Sequence, residues 1–256
     1  MSIGFDTCGF TGDRAAEILQ RVRQRRPRVH CLMNTVVQKF TADGITAIGA
    51  IPSMTGSPEE IADFVDRADA LTINLGTLDA GRRAVIETAV ERAAARGIPW
   101  VIDPVHCDYS PTRLAFARAL MARNPTAVRG NRAEMALIGE REAGLTIVTG
   151  PADLLRDGDR TLTVRNGHAL MAAVTGTGCL SGGVIAAFMA VEPDPLLAAG
   201  AALATTGVAA ELAAIGAPGP GSFGMSLLDR LYALTAADLA AHAHFDGKEG
   251  RSDDQG

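Results

Sequence analysis

Several common patterns are missing from this 256-residue chain, and each absence narrows what it can be. It has only four cysteines, Cys8, Cys31, Cys107 and Cys179, and no two of them form a CxxC pair. Such spacing supports neither a zinc site nor a disulfide framework. Reduced thiols in a cytoplasmic protein are the simplest account. Positive charge is not in excess, since 24 Lys and Arg stand against 29 Asp and Glu for a net charge of −5. That balance argues against a nucleic-acid surface. The one basic cluster, Arg21, Arg23, Arg25, Arg26 and Arg28, reads as a solvated helix end. No apolar run reaches the ~18 residues of a membrane span. The alanine-rich stretch 196–215 comes closest, but Gly200, Thr205, Thr206, Gly207 and Glu211 interrupt it. No secretory signal pattern opens the chain, so neither a membrane nor a nucleic-acid partner is expected. Two glycine-rich nucleotide signatures also fail. The only Gly-Lys pair is Gly247-Lys248 in a polar tail, and glycine at 182 falls one position late for GxGxxG after Gly176 and Gly178. Aromatics make up 4% while apolar residues reach 47%, rich in alanine, which suits helices packed on a sheet. The length allows one large domain with a substantial core.

What the chain does contain centres on Val174-Thr175-Gly176-Thr177-Gly178-Cys179-Leu180-Ser181-Gly182-Gly183, running into an apolar helix-forming stretch. This reads as a tight loop delivering its last residues to a helix N-terminus, whose unpaired N–H groups attract anions. Glycines let the backbone approach a phosphate closely. Cys179 would sit at that end, where the positive dipole favours thiolate. An anion cradle holding an ionisable side chain suggests phosphoryl transfer, although a free cysteine is also commonly a small buried hydrophobe.

Elsewhere strands and helices alternate. A helix capped by Thr11 or Asp13 runs to about Arg25 and ends near Pro27, and a strand follows from Arg28 toward Asn34. Ser57-Pro58-Glu59-Glu60 reads as a helix start. Further strands are expected at 70–76, 99–104, 126–128 and 145–150, with helices at 37–49, 79–96, 112–123 and 133–142 between or before them. Asp157-Gly158 marks a hairpin over 153–164. Asp194-Pro195 opens a long small-residue helix, residues 219–223 form a turn, and a last helix covers 225–241. This order implies a parallel α/β sheet covered on both faces. Asn74, Asp103, Arg129 and Asn131 all fall at C-terminal strand ends, the edge where such sheets place ligands. Each could equally serve as a turn residue.

In this order, Val29-His30-Cys31 through Asn34, Pro52-Ser53-Met54, Asn74-Leu75-Gly76-Thr77-Leu78, Asp103-Pro104-Val105, Arg129-Gly130-Asn131 with Glu134, Val148-Thr149-Gly150, Asn166-Gly167-His168, 174–179 and 219–223 resemble the hydroxyethylthiazole kinase family. The resemblance implies a ribokinase-like three-layer α/β/α sandwich with a mainly parallel central sheet. Residues 1–246 would form the single kinase domain and 247–256 a polar, disordered tail. It also implies transfer of the ATP γ-phosphate, with Mg2+, to the primary hydroxyl of 4-methyl-5-(2-hydroxyethyl)thiazole in thiamine biosynthesis or salvage. By position, Cys179 would be the catalytic base. Met54, Gly176 and Asn34 would contact the thiazole, Arg129, Thr149 and Asn131 would contact ATP, and Glu134 with Asp103 would serve the metal. A cytoplasmic homotrimer with sites between subunits is expected.

Two departures stand out. Only Arg132 to Ala143 separates Asn131 from the next strand, where the family has a longer helix and loop. A parallel crossover needs about a dozen residues, so either the sheet keeps its order over a pared-down connection or apolar surface is left exposed or covered by a partner. His106 stands where the family has glycine, and its ring either crowds the phosphate region or points to solvent. The alternatives to a thiazole-alcohol kinase are another small-alcohol kinase of the superfamily, such as one acting on a hydroxymethylpyrimidine, and a degenerate homologue that binds thiazole or nucleotide with little turnover.

Overall fold

The computed structural model describes residues 10–248 apart from Glu140 and Glu142; Cys8 and the tail 249–256 lie outside the described residues. Thr11 caps α1 (Gly12–Arg25) by accepting the Arg14 N–H, and Arg26, in the left-handed region ahead of Pro27, ends it. Then come β1 (Arg28–Leu32), α2 (Gln38–Ala47), β2 (Ile51–Ser53), α3 (Ile61–Asp66) and β3 (Ala70–Asn74). Asp79 caps α4 (Ala80–Arg96), and Gly97 at φ +63 closes it. The order continues with β4 (Trp100–Asp103), α5 (Pro111–Met121), β5 (Ala127–Asn131), α6 (Arg132–Ile138), β6 (Leu145–Thr149), β7 (Asp153–Asp157) and β8 (Arg160–Val164). A 3₁₀ turn at Ala169–Ala173 leads to α7 (Thr177–Met189), α8 (Pro195–Ala214), α9 (Pro220–Ala233), α10 (Ala236–His242) and β9 (Phe245–Lys248).

The strands form one sheet in the order β2-β1-β3-β4-β5-β6-β7-β8-β9, parallel from β2 to β6 and antiparallel beyond. Alternation along each strand feeds two cores. Ala127, Leu145 and Ile147 face the larger one, under α1, α2, α7, α8, α9 and α10; Val128 and Val148 face the smaller one, under α3, α4, α5 and α6. These are the three expected layers. Helix α8 has the length and hydropathy of a membrane span, yet 83% of that stretch is buried among its neighbours, so it serves as a core helix.

Several local expectations are corrected. Ser57 starts a turn and not a helix: its carbonyl accepts the Glu60 and Ile61 N–H groups, and α3 begins only at Ile61. The supposed turn 219–223 is the start of α9, because Pro220 at its first position presets helical φ. The expected last helix is two, since Thr235 and Asp238 form a capping box that opens α10. Gly247 and Lys248 pair with β8 and so belong to the sheet, two residues past the expected domain boundary. The basic cluster is not simply solvated. Arg21 pairs with the buried Glu192, and Arg23 donates to the carbonyls of Leu231, Tyr232 and Leu234 at the end of α9.

The shortened crossover keeps the sheet order, with β5 and β6 in register from Ala127↔Leu145 to Asn131↔Thr149. It reaches because α6 has seven residues, fewer than the expected 133–142. The cost is a cleft of about 560 Å³ over β6 and β7, lined by Met135, Ala136, Val148 and Leu154, where Leu154 remains 41% exposed.

Candidate active site

Four parallel strands end at one edge and deliver polar groups that sequence distance keeps apart. Asn34 follows β1, while Asn74 and Asp103 end β3 and β4 in register with each other. The Asn34 Nδ2 donates to Asn74 Oδ1 at 3.0 Å, Asn74 Nδ2 donates to Asp103 Oδ2 at 3.1 Å, and Arg129 on β5 donates to the same oxygen at 3.1 Å. Both amide oxygens are committed, Asn34 Oδ1 to the Val36 N–H and Asn74 Oδ1 to the Gly76 N–H. Their NH₂ ends therefore face the Cys179 sulfur, at 3.7 Å from Asn34 and 3.3 Å from Asn74. Sequence places Asn74 only at a strand end; this amide pairing gives it a place in the site.

Cys179 lies in the first turn of α7. Gly176 caps that helix at φ +102, a conformation open to glycine, and an added Cβ there would lie 3.1 Å from Val37. A Cβ on Gly178 would lie 3.1 Å from an Arg129 guanidinium nitrogen, so the missing side chain is what lets the cation rest against the helix end. No side chain caps this end, and the Thr177 hydroxyl turns back to the carbonyls of Met171 and Val174. The Thr177 N–H reaches the Val174 carbonyl at 3.5 Å, which leaves the Gly178 and Cys179 N–H groups to face an anion.

The expected thiolate is not the resting form. Burial pushes the Cys179 thiol up to about 11, Asp103 adds to the rise, and Arg129 with the two asparagines only partly offsets them. Desolvation outweighs the helix end here. Burial likewise holds the Asp103 carboxyl above its ordinary range, against the pull of Arg129.

Asn131 and Glu134 form a reciprocal capping box on α6: Asn131 Oδ1 accepts the Glu134 N–H at 3.0 Å, and Glu134 Oε2 accepts the Asn131 N–H at 2.8 Å. The other Glu134 oxygen accepts the His106 N–H at 2.7 Å. Asn131 is thus already engaged as a cap. Asn131→Ala is expected to cost about 1 kcal/mol in a urea melt and Asn131→Ser only a few tenths; equal losses would show that capping is not what Asn131 supplies. Thr149 donates to the Gly130 carbonyl at 3.3 Å and, with Asn131, Arg132 and Gly150, lines a second cleft of about 590 Å³. His106 is exposed at φ +56, with its ring 5.6 Å from that of Tyr109. This left-handed backbone explains why glycine suits the position.

Met54 stands apart from the network, half-buried on the loop after β2. Two residues to which the sequence assigned no role organise this side. Buried His30 joins Ser53 Oγ at 2.9 Å and the Thr55 carbonyl at 3.1 Å, gripping both neighbours of Met54. Burial lowers its pKa to about 4, so the ring is neutral. A carbonyl only accepts, so Nε2 bears the proton and Nδ1 receives the serine hydroxyl. Arg82 donates to the carbonyls of Leu32 and Asn74, tying the ends of β1 and β3. Nothing in its helical spacing signals that role.

A sequence profile of the hydroxyethylthiazole kinase family matches residues 19–146 and 138–237, two stretches that overlap at the shortened crossover. A probable hydroxyethylthiazole kinase of Agrobacterium fabrum is 65% identical, over 94% of this chain and 98% of that one. The solved hydroxyethylthiazole kinase protein of Pyrococcus horikoshii superposes with a TM-score of 0.88 at 38% identity, covering 92% of this chain and 99% of that one. A ribokinase-like superfamily protein of Enterococcus faecalis, at 13% identity and TM-score 0.65, covers 92% of this chain and 99% of its own and shows the shared fold. Profile and identities agree: this chain belongs to the hydroxyethylthiazole kinase family.

Proposed function

We propose that the protein transfers the ATP γ-phosphate to the primary hydroxyl of 4-methyl-5-(2-hydroxyethyl)thiazole, serving thiamine biosynthesis or salvage. The observation that carries this reading is a sulfur held between the amides of Asn34 and Asn74, at an uncapped helix end with Arg129 against it. The hydroxyl oxygen attacks the γ-phosphorus, its proton passes to Cys179 Sγ as the thiolate, and the bond to the leaving ADP breaks. Phosphoryl transfer rests mostly on positioning and charge stabilisation, supplied here by the α7 amides and Arg129. Asn34, Gly176 and Met54 face the thiazole in this reading, with His30 holding the Met54 loop. Arg129, Thr149 and Asn131 serve the nucleotide.

The donor set fits Mg2+, a hard cation that favours carboxylate oxygens and keeps several waters. Glu134 is 4% exposed and has no cationic ion-pair partner among the described residues, and Asp103 lies close enough to feel its charge. Those two would hold the ion, which when bound neutralises phosphate charge. A homotrimer in the cytoplasm, with Met54 near a neighbour's site and Asn34 joined to Cys179 of its own chain, is part of the same proposal.

Purified protein is expected to release ADP from ATP only when hydroxyethylthiazole is present. Release dependent on a hydroxymethylpyrimidine instead would move the assignment to that class of alcohol. Thiazole or nucleotide binding without turnover would mark a degenerate homologue, the reading favoured by the open face over β6 and β7.

A further inference from the structure

We propose that the loop after β4 completes, together with Glu134, a site at which the protein itself holds a divalent transition metal (Mn2+, Co2+ or Zn2+) before any nucleotide arrives. Ligand atoms of His106, Asp108 and Glu134 all lie within 4.8 Å of one another. They converge without pairing: among the described residues, no ion pair joins the His106 ring to either carboxylate. Glu134 is the buried member, and the other two are exposed to solvent. That carboxylate accepts two backbone N–H bonds and, among the described residues, meets no arginine or lysine within ion-pairing distance. A buried carboxylate lacking a counter-charge calls for a cation.

The chemistry of the trio then decides which cation. One imidazole nitrogen and two carboxylates suit the later first-row divalent ions, with affinity rising from Mn2+ through Co2+, whereas Mg2+ gains little from nitrogen. Around an ion with bonds of about 2.1 Å, ligand atoms lie roughly 3–4 Å apart, so closing the trio from separations within 4.8 Å needs movements of at most about 1–2 Å by the two exposed side chains. The loop that carries them is held in place. Arg113 donates to the Val105 carbonyl at 2.6 Å, the Tyr109 N–H to the His106 carbonyl at 3.2 Å, and the Ser110 N–H to the Cys107 carbonyl at 3.4 Å. Where glycine occupies position 106, as in the family pattern, this nitrogen ligand does not exist. The inference rests on Glu134 as a cation-facing carboxylate and does not depend on the acceptor alcohol.

The test is a titration of tag-free, nucleotide-free protein with Co2+, followed by calorimetry and by the visible d–d absorption of the bound ion. One equivalent is expected to bind with an absorption band free of sulfur charge transfer. His106→Gly and Asp108→Asn are each expected to weaken binding by more than about tenfold, the lower end of what loss of even an outer-shell partner costs. The His242→Gln/His244→Gln double variant is expected to bind like the parent. Circular dichroism confirms that each variant is folded. Binding unchanged in both loop variants, binding abolished in the His242/His244 variant, a cysteine–cobalt charge-transfer band, or no saturable binding would each overturn the site. Thiazole-dependent ADP release with Mg2+, measured on the parent protein, reports separately on the kinase reading.

Discussion

Replacing Cys179 by alanine lowers kcat by about 10²-fold or more, the scale for losing a general base, while Cys179→Asp retains activity. The two variants differ in what they leave between Asn34 and Asn74. Alanine offers no proton acceptor to the hydroxyl, and aspartate offers a carboxylate that the same NH₂ groups and Arg129 can support. A pH profile separates this role from simple packing. With its thiol held up to about 11, Cys179 is almost wholly protonated at neutral pH. The thiolate fraction, and with it kcat, then rises about tenfold per pH unit through the alkaline range below that value. The aspartate variant, already ionised there, is expected to run flat. An alanine variant with parental kcat, or a parental enzyme whose rate ignores pH between 7 and 9, removes the sulfur from proton transfer.

The second large effect is expected at Arg129. Asp103 is 4% exposed and takes a 3.1 Å bond from that guanidinium. Arg129→Met strips a buried carboxylate of its partner, which costs about 3–5 kcal/mol of stability at neutral pH. It also lowers kcat by about 10²–10³-fold through lost stabilisation of the transferring phosphoryl group. Burial already raises the Asp103 carboxyl, and without Arg129 it rises further. A raised folded-state pKa means that the folded protein binds the extra proton. The Asp103 contribution to the variant's stability is therefore fully present below the ordinary carboxylate range and is lost as pH increases through the raised value. Arg129→Met with Asp103→Asn removes charge and counter-charge together, so urea melts should recover most of the stability while turnover stays low. Recovery of turnover in the double variant would show that Arg129 acts only by neutralising Asp103.

Much of the fold could be read from local chemistry. The Asp79 cap and the Gly97 stop bound α4, Asp194-Pro195 opens α8, and Gly158 turns the hairpin between β7 and β8, because each signal acts within a few residues of itself. Errors arose where two local signals competed. Pro220 has the chemistry of a turn residue yet sits at a helix's first position, and Ser57-Pro58 has that of a helix start yet the Ser57 carbonyl closes a turn. The site was legible as a collection of strand-end polar groups and a glycine-rich helix start. Its wiring was not. Asn34 and Asn74 meet across 40 positions, and Asn34 and Cys179 across 145.

The sequence alone therefore settled the class of fold, the sheet edge at which Asn74, Asp103 and Arg129 gather, and the family, since periodicity, caps and motif order are properties of neighbouring residues. Tertiary structure decided which end of each asparagine amide faces the sulfur, that His30 and Arg82 brace the loops around it, and that Cys179 rests as a thiol. Those outcomes depend on desolvation and on partners brought together only by folding, and neither quantity is written in the spacing of residues along the chain.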